Sequence, residues 1–281
     1  MLPLAIFITQ FPVVLSSVQY RLIVKFTALA LLLLPFSTAV AQDMKTIEQN
    51  LLQVFQRIKY WNSYSDLDST INRYDSLEAA NTRFQRALTQ STTQFPATLQ
   101  YGFRQLQDSG MVIATSPDRK LRVYSWNSHT GGSMVIYERV FQYLTPTGVR
   151  STDQTGSDEH DGVEWIWKIA PFHTRNHTYY LAFSRAITCG ACRSEAVKAY
   201  SIATRNLQGP LPLFMSDGVK NAVLSVDFRD FGRTAPLKSG HAIVYDSVHH
   251  SFRVPSTDEM DGTLSAPYHI YRWTGNYFAK Q

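Results

Sequence analysis

Val163-Glu-Trp-Ile-Trp-Lys-Ile169 is the stretch on which the reading of the fold turns. Val163, Trp165, Trp167 and Ile169 alternate with Glu164, Ile166 and Lys168. A period of two sends successive side chains to opposite faces of a strand. The alternation returns in Ala222–Arg229, where Ala222, Leu224, Val226 and Phe228 share one face and Val223, Ser225, Asp227 and Arg229 the other. Both segments read as half-buried antiparallel strands. Further strands are expected at Met111–Thr115, Leu121–Trp126, Met134–Tyr143, Tyr179–Ile187, Ala196–Ala203, Ala242–Tyr245, Phe252–Val254 and Tyr268–Trp273. Turn signals such as Pro117-Asp118, Gly131-Gly132, Pro146-Thr-Gly148, Asp217-Gly218, Asp261-Gly262 and Gly275-Asn276 separate them.

Upstream of residue 108 the period changes to that of a helix. In Met44–Tyr64, Ile47, Leu51, Val54, Phe55, Ile58 and Trp61 fall on one face. Asp66–Leu88 repeats the pattern with Leu67, Ile71, Tyr74, Leu77, Phe84 and Leu88, with Ser65 or Asp66 as its expected N-cap and Ser91–Pro96 as its end. A short third turn is expected at Leu99–Leu106. The class predicted is therefore α+β: an N-terminal helical hairpin over 42–107, then an antiparallel β-rich domain over 108–281 built as a sandwich or as propeller-like sheets. No repeat of about 40 residues is regular enough for a complete propeller.

The front of the chain reads differently. Arg21 and Lys25 precede Phe26-Thr-Ala-Leu-Ala-Leu-Leu-Leu-Leu-Pro-Phe36, and Ala39-Val-Ala41 comes after it. A basic start, a short apolar run and an A-x-A end are the pattern of a secretory signal peptide over 1–41, cut after Ala41. The run is too short to cross a bilayer and contains Pro35, against the alternative of an uncleaved anchor. A start at Val24 gives the compact order of such a signal, so 1–23 read as a mis-annotated start; a two-segment N-terminus that spans the membrane once is the other reading. The location expected is periplasmic or secreted, with membrane contact only through the signal segment.

Composition narrows the function classes. The 281 residues carry 27 Lys+Arg and 22 Asp+Glu, a net charge of +5, with 13% aromatic residues and two cysteines. Two of the basic residues, Arg21 and Lys25, lie in the signal segment, which has no acid. The chain beyond Ala41 is close to neutral, so nucleic acid is not an expected partner. Two cysteines exclude a disulfide framework and a four-cysteine zinc site. No nucleophile elbow, zincin helix, P-loop or dinucleotide fingerprint occurs, and neither cofactor nor metal is implied.

Ser116-Pro-Asp-Arg-Lys-Leu-Arg-Val-Tyr-Ser-Trp-Asn-Ser-His-Thr-Gly-Gly-Ser-Met134 is the most distinctive segment. It resembles an uncharacterised family of secreted Bacteroidota-type proteins, in which an S-x-D-G-K turn and an L-R-x-Y-S-W strand lead into T-G-G. Ile243–Asp246, Arg253–Pro255 and Tyr271–Phe278 resemble that family's closing hairpins. The turn is also similar to the S-P-D-G-K turn of TolB-type propeller repeats, with Arg119 in place of the glycine. The resemblance implies secretion and no known activity. Read physically, Asp118 accepts N–H groups of its turn, and Gly131-Gly132 supply positive φ.

Four features carry the candidate chemistry. Cys189-Gly-Ala-Cys192 lies between two strands rather than before a helix, so a disulfide across the turn is the simpler reading than a redox site. The loop Asp153–Gly162 holds Asp158, Glu159 and Asp161, which are candidates for general acid–base work; the spacing does not fit a calcium loop, and such carboxylates often only solvate. His173 with His177, and His249 with His250, sit in turns rather than on a helix face and are not expected to bind metal. Trp126, Trp165 and Trp167 are candidates for stacking on a sugar, although large alternating side chains on a sheet more often form core. The leading expectation is an exported, non-catalytic binding module whose partner is a glycan or an envelope protein. The alternative is a hydrolase acting outside the cytoplasm on glycan or peptide through the loop carboxylates.

Overall fold

A computed structural model describes residues 43–63, 72–153, 163–230 and 240–281. The signal segment, the expected caps Ser65 and Asp66, and the carboxylates Asp158, Glu159 and Asp161 lie outside the described residues. The chain is α+β. Helix α1 covers 43–63 and α2 covers Arg73–Gln94, followed by a 3-10 turn at Pro96–Leu99 and the short α3, Arg104–Asp108. The described start of α2 is capped by Asn72, whose side chain accepts from Tyr74 N and Asp75 N. No described helix is long and apolar enough to cross a membrane.

Three sheets come next along the chain. The first is a meander of β1 (Val112–Thr115), β2 (Leu121–Asn127), β3 (Tyr137–Thr145) and β4 (Gly148–Thr152). The middle sheet holds β5 (Glu164–His173), β6 (Thr178–Ile187), β7 (Cys192–Ile202) and β11 (Val223–Arg229) in the order β11-β7-β6-β5, with the short β8 (Leu207–Gln208) on β7. The third runs β10-β9-β15-β14-β13-β12, from β9 (Phe214–Ser216), β10 (Val219–Asn221), β12 (Val244–Asp246), β13 (Ser251–Thr257), β14 (Leu264–Trp273) and β15 (Phe278–Lys280). Pairing is antiparallel except between β15 and β9.

Three apolar clusters show how these layers stack. Leu51, Phe55, Leu77, Phe84 and Leu88 of α1 and α2 pack with Tyr124, Trp126 and Val140 of the first sheet. Leu121, Val123 and Phe141, on its other face, meet Ile166, Ile169, Ala182 and Tyr200 of the middle sheet. The opposite face of the middle sheet, with Leu181, Phe183, Val197 and Leu224, packs on Phe214, Phe252, Val254 and Phe278 of the third. The sheets thus lie face to face as a sandwich, not as propeller blades. The helices share a core with the first sheet inside one compact unit, 47–281, so the change near residue 107 is one of secondary structure and not of packing.

β11 is half-buried as expected, with Leu224 and Val226 buried and Ser225 and Asp227 exposed, whereas β2 is buried on both faces. β2 is buried along Leu121–Trp126, and its polar members are bonded internally. Arg122 donates to Thr98 O and Tyr101 O, and Gln142 of β3 donates to Thr92 O at 2.8 Å and accepts from Tyr124 Oη at 2.8 Å. Each buried polar group left unbonded costs about 1–3 kcal/mol, so these bonds make a doubly covered strand tolerable.

The face assignment of the opening stretch also changes. The β5–β6 register shifts between Ile166 and Lys168, a β-bulge at Trp167. Glu164 pairs with Ala186, Ile166 with Ser184 and Ile169 with Ala182, which puts Ile169 on the face of Glu164 and Ile166 and not with the tryptophans. Nor do Gly131 and Gly132 supply positive φ; His129 does, at 58°. Gly131 answers a close approach instead, since a Cβ there would meet Met134 O at 2.0 Å. In the Ser116–Leu121 turn, Arg119 itself takes φ 57°, and Asp118 accepts from Ser116 Oγ, Lys120 N and Tyr180 Oη.

Candidate binding site on the middle sheet

Register across the middle sheet builds three rows on the face toward the first sheet. One row is Glu164–Ala186–Ser194–Asp227, the next Ile166–Ser184–Ala196–Ser225, and the third Ile169–Ala182–Lys198–Val223. Their centre is made of alanine and serine, so the face is shallow there. The first sheet covers the β5 side, and toward β11 a cavity of about 350 Å³ is left, lined by Glu164, Thr188, Ser194, Lys198, Ser225 and Asp227 among others.

The wall of this cavity is a buried ion cluster. Glu164 Oε1 lies 2.8 Å from Arg139 Nη1 and 2.8 Å from Lys198 Nζ, and Oε2 accepts from Ser184 Oγ at 2.6 Å. All three charged side chains are no more than 7% exposed. Burial alone would raise the Glu164 carboxyl; the Lys198 ammonium and the Arg139 guanidinium outweigh it and hold the group below its ordinary value. Glu164 is therefore ionised at neutral pH with both oxygens engaged. That suits a fixed electrostatic wall and does not suit a proton donor, which needs a raised pKa.

A second charged knot faces the other way. Glu195 Oε1 accepts from Arg185 Nε at 2.9 Å, while Oε2 accepts from the backbone N–H groups of Ala242 and Ile243. His241 Nδ1 lies 2.8 Å from Arg185 Nη2, and its ring stacks on Trp167 at 3.8 Å. Burial and the neighbouring Arg185 lower the His241 pKa, so the ring is neutral at pH 7. This knot ties the middle sheet to the segment leading into β12.

The expected site residues scatter. Trp126 is fully buried against Phe84 and donates Nε1–H to Asn81 Oδ1 at 3.0 Å, so it has no face to offer a sugar. Trp167 sits among the third-sheet contacts with one face taken by His241, and Trp165 is half-buried against Tyr137 at 5.0 Å. The three rings form no shared platform: Trp126 lies in the helix-side core, while Trp165 is taken up by Tyr137 and Trp167 by His241. His173 and His177 flank the β5–β6 hairpin, and no three His, Cys, Asp or Glu gather for a metal among the described residues.

Cys189 and Cys192 form the expected disulfide across the β6–β7 turn. Closing so short a loop removes little chain entropy, so Cys189→Ser with Cys192→Ser is expected to cost about 2 kcal/mol or less while the fold survives. Urea unfolding of the double variant measures this, and a loss above ~4 kcal/mol contradicts it.

Sequence reasoning passed over Glu164, set apart as pointing away from the tryptophans, together with Arg139, Glu195 and Lys198. Their signal was a charge in the middle of an apolar strand, as in Ala196-Val-Lys-Ala-Tyr200. A charge there must find a buried counter-charge. No family model, curated protein or solved structure matches the chain.

Proposed function

We propose that the chain is an exported, non-catalytic binding module of the periplasm or exterior, with its ligand in the cavity on the middle sheet. The cavity carries the reading. Its size of about 350 Å³ lies in the range of small-molecule sites. Its lining offers the hydroxyls of Thr188, Ser194 and Ser225 and the Asp227 carboxylate, donors and acceptors suited to a hydroxyl-rich ligand such as a glycan unit. The Glu164 cluster is fixed before any ligand arrives, so little ordering is needed on binding. The engaged, ionised state of Glu164 supports binding over hydrolysis.

Glycan fragments titrated in a thermal-shift assay test the site. A ligand at 100 times its Kd is expected to stabilise the protein by about 2.7 kcal/mol. Ser225→Phe, on the exposed edge strand, fills the cavity and is expected to abolish the shift while leaving the unliganded Tm within a few degrees. A shift that survives Ser225→Phe, or none with any fragment, removes the cavity from the proposal. Export has its own check, since the intact mass of protein from outside the cytoplasm should begin at Gln42; a mass retaining residues 1–41 sinks that part.

A further inference from the structure

A second groove, independent of the cavity, runs along α2 and reaches Asp153, the residue that follows the edge strand β4. It encloses about 650 Å³ and is lined on the helix by Thr82, Gln85, Arg86, Thr89, Gln90 and Thr93. Among its lining residues the only charges are Arg86 and Asp153; the rest are amides and hydroxyls. β4 is the last strand of its sheet, and among the described residues nothing pairs with its outer side.

The register shows which backbone groups face that side. Thr145 pairs with Gly148 around a two-residue turn, which closes on a hydrogen-bonded pair. Bonded and non-bonded pairs alternate along an antiparallel ladder. Tyr143–Arg150 and Phe141–Thr152 therefore exchange the ladder bonds, and Val149 and Ser151 turn their N–H and C=O groups outward. In agreement, Leu144 N, opposite Val149, donates away from β4 to Lys120 O at 2.8 Å.

Two side chains add an independent sign. Thr89 Oγ1 on α2 and Ser151 Oγ on β4 are buried and have no hydrogen-bond partner. Ser151 is paired with Gln142, whose side chain reaches Thr92 O of α2, so Ser151 lies on the helix side of the sheet. Buried hydroxyls nearly always find a partner; Thr89 lines the groove, and Ser151 lies two residues before Asp153, which also lines it.

We infer that the groove takes an extended peptide segment of a partner protein, which adds to β4 as a fifth strand of the first sheet. The peptide's backbone bonds to Val149 and Ser151, and glutamine amides, each both donor and acceptor, satisfy its outer peptide groups. With so few charges in the lining, recognition rests on the main chain and on small polar side chains. A highly charged partner is disfavoured.

A library of random nine-residue peptides displayed on phage, selected on the immobilised full chain, supplies the probe. An enriched peptide is then titrated by fluorescence polarisation. Ser151→Pro removes an outward N–H and leaves the β3 ladder its bonds, and is expected to weaken binding at least tenfold. Gln85→Ala with Gln90→Ala, on the helix surface, gives a second reading that does not touch the hairpin, with an expected loss of at least threefold. Hydrogen exchange should show new protection at Val149 and Ser151 on binding. Failure to enrich any peptide overturns the inference, as do unchanged affinities in both variants or protection confined to the middle-sheet cavity. Protection of β4 that rises with protein concentration and needs no peptide assigns the groove to a second copy of this chain, and overturns it too.

Discussion

Glu164→Gln is expected to destabilise the protein by about 3–5 kcal/mol, because it leaves the Arg139 and Lys198 charges buried beside a neutral amide. The geometry sets the size. Glu164 holds both cations at 2.8 Å, and none of the three side chains is more than 7% exposed. Urea unfolding reads the loss directly, and a value under ~1 kcal/mol would falsify the assignment of Glu164 as the counter-charge of the cluster. Replacing all three, with Arg139→Met, Glu164→Leu and Lys198→Met, is expected to recover most of the loss, since apolar side chains of similar volume avoid the desolvation cost. Recovery of the fold without recovery of ligand binding would separate the structural role of the cluster from its role as cavity wall.

The same cluster fixes the sign of the acid response. Glu164 has its pKa lowered in the folded state from an ordinary value of 4.5. Its contribution is present in full above that ordinary value and is lost as pH falls through the lowered folded value. Asp118, which is lowered from 3.8 by its bonds to Ser116, Tyr180 and Lys120 against the effect of burial, acts in the same direction. The gap in stability between the native chain and Glu164→Gln should therefore be widest near neutral pH and close toward acid.

Trp126→Ala is expected to cost about 3–5 kcal/mol, the range for emptying a buried aromatic site. Trp126 has no exposed surface, stands edge-on to Phe84 with centroids 5.0 Å apart, and donates to Asn81 Oδ1. Truncation leaves a cavity and also strips Asn81 of a bond, while its Nδ2 continues to donate to Leu77 O and Ser128 O. Trp126→Phe keeps most of the volume but not the N–H, and should cost less than the alanine variant. Neither change is expected to alter affinity for a ligand in the middle-sheet cavity. A glycan affinity that falls with Trp126→Phe at unchanged stability would restore the ring as a stacking residue.

Much of the architecture was legible because local patterns encode it. Leu51, Phe55, Ile58, Leu77, Phe84 and Leu88 recur at helical spacing and all reach the helix-side core. Leu224 and Val226 alternate with Ser225 and Asp227, and the two pairs do face core and cavity. A turn of four residues between two strands brought Cys189 and Cys192 within bonding reach. Ile169 was misplaced for an equally physical reason. A single inserted residue at Trp167 reverses the phase of everything after it, and nothing in Val163–Ile169 announces the insertion.

By itself, then, the sequence determined the helices, the longer strands and the α+β class, since periods of 3.6 and 2 depend only on neighbours along the chain. The short strands β4, β8, β9, β10 and β15 carry too few residues to show a period. Which faces are covered was decided by the tertiary structure alone. Glu164, Arg139 and Lys198 come from three strands in two sheets, and no local pattern states that they meet. The small residues of β6, β7 and β11 look ordinary in sequence. They become a cavity only because the first sheet stops short of them and leaves alanine and serine where bulk would otherwise fill the space.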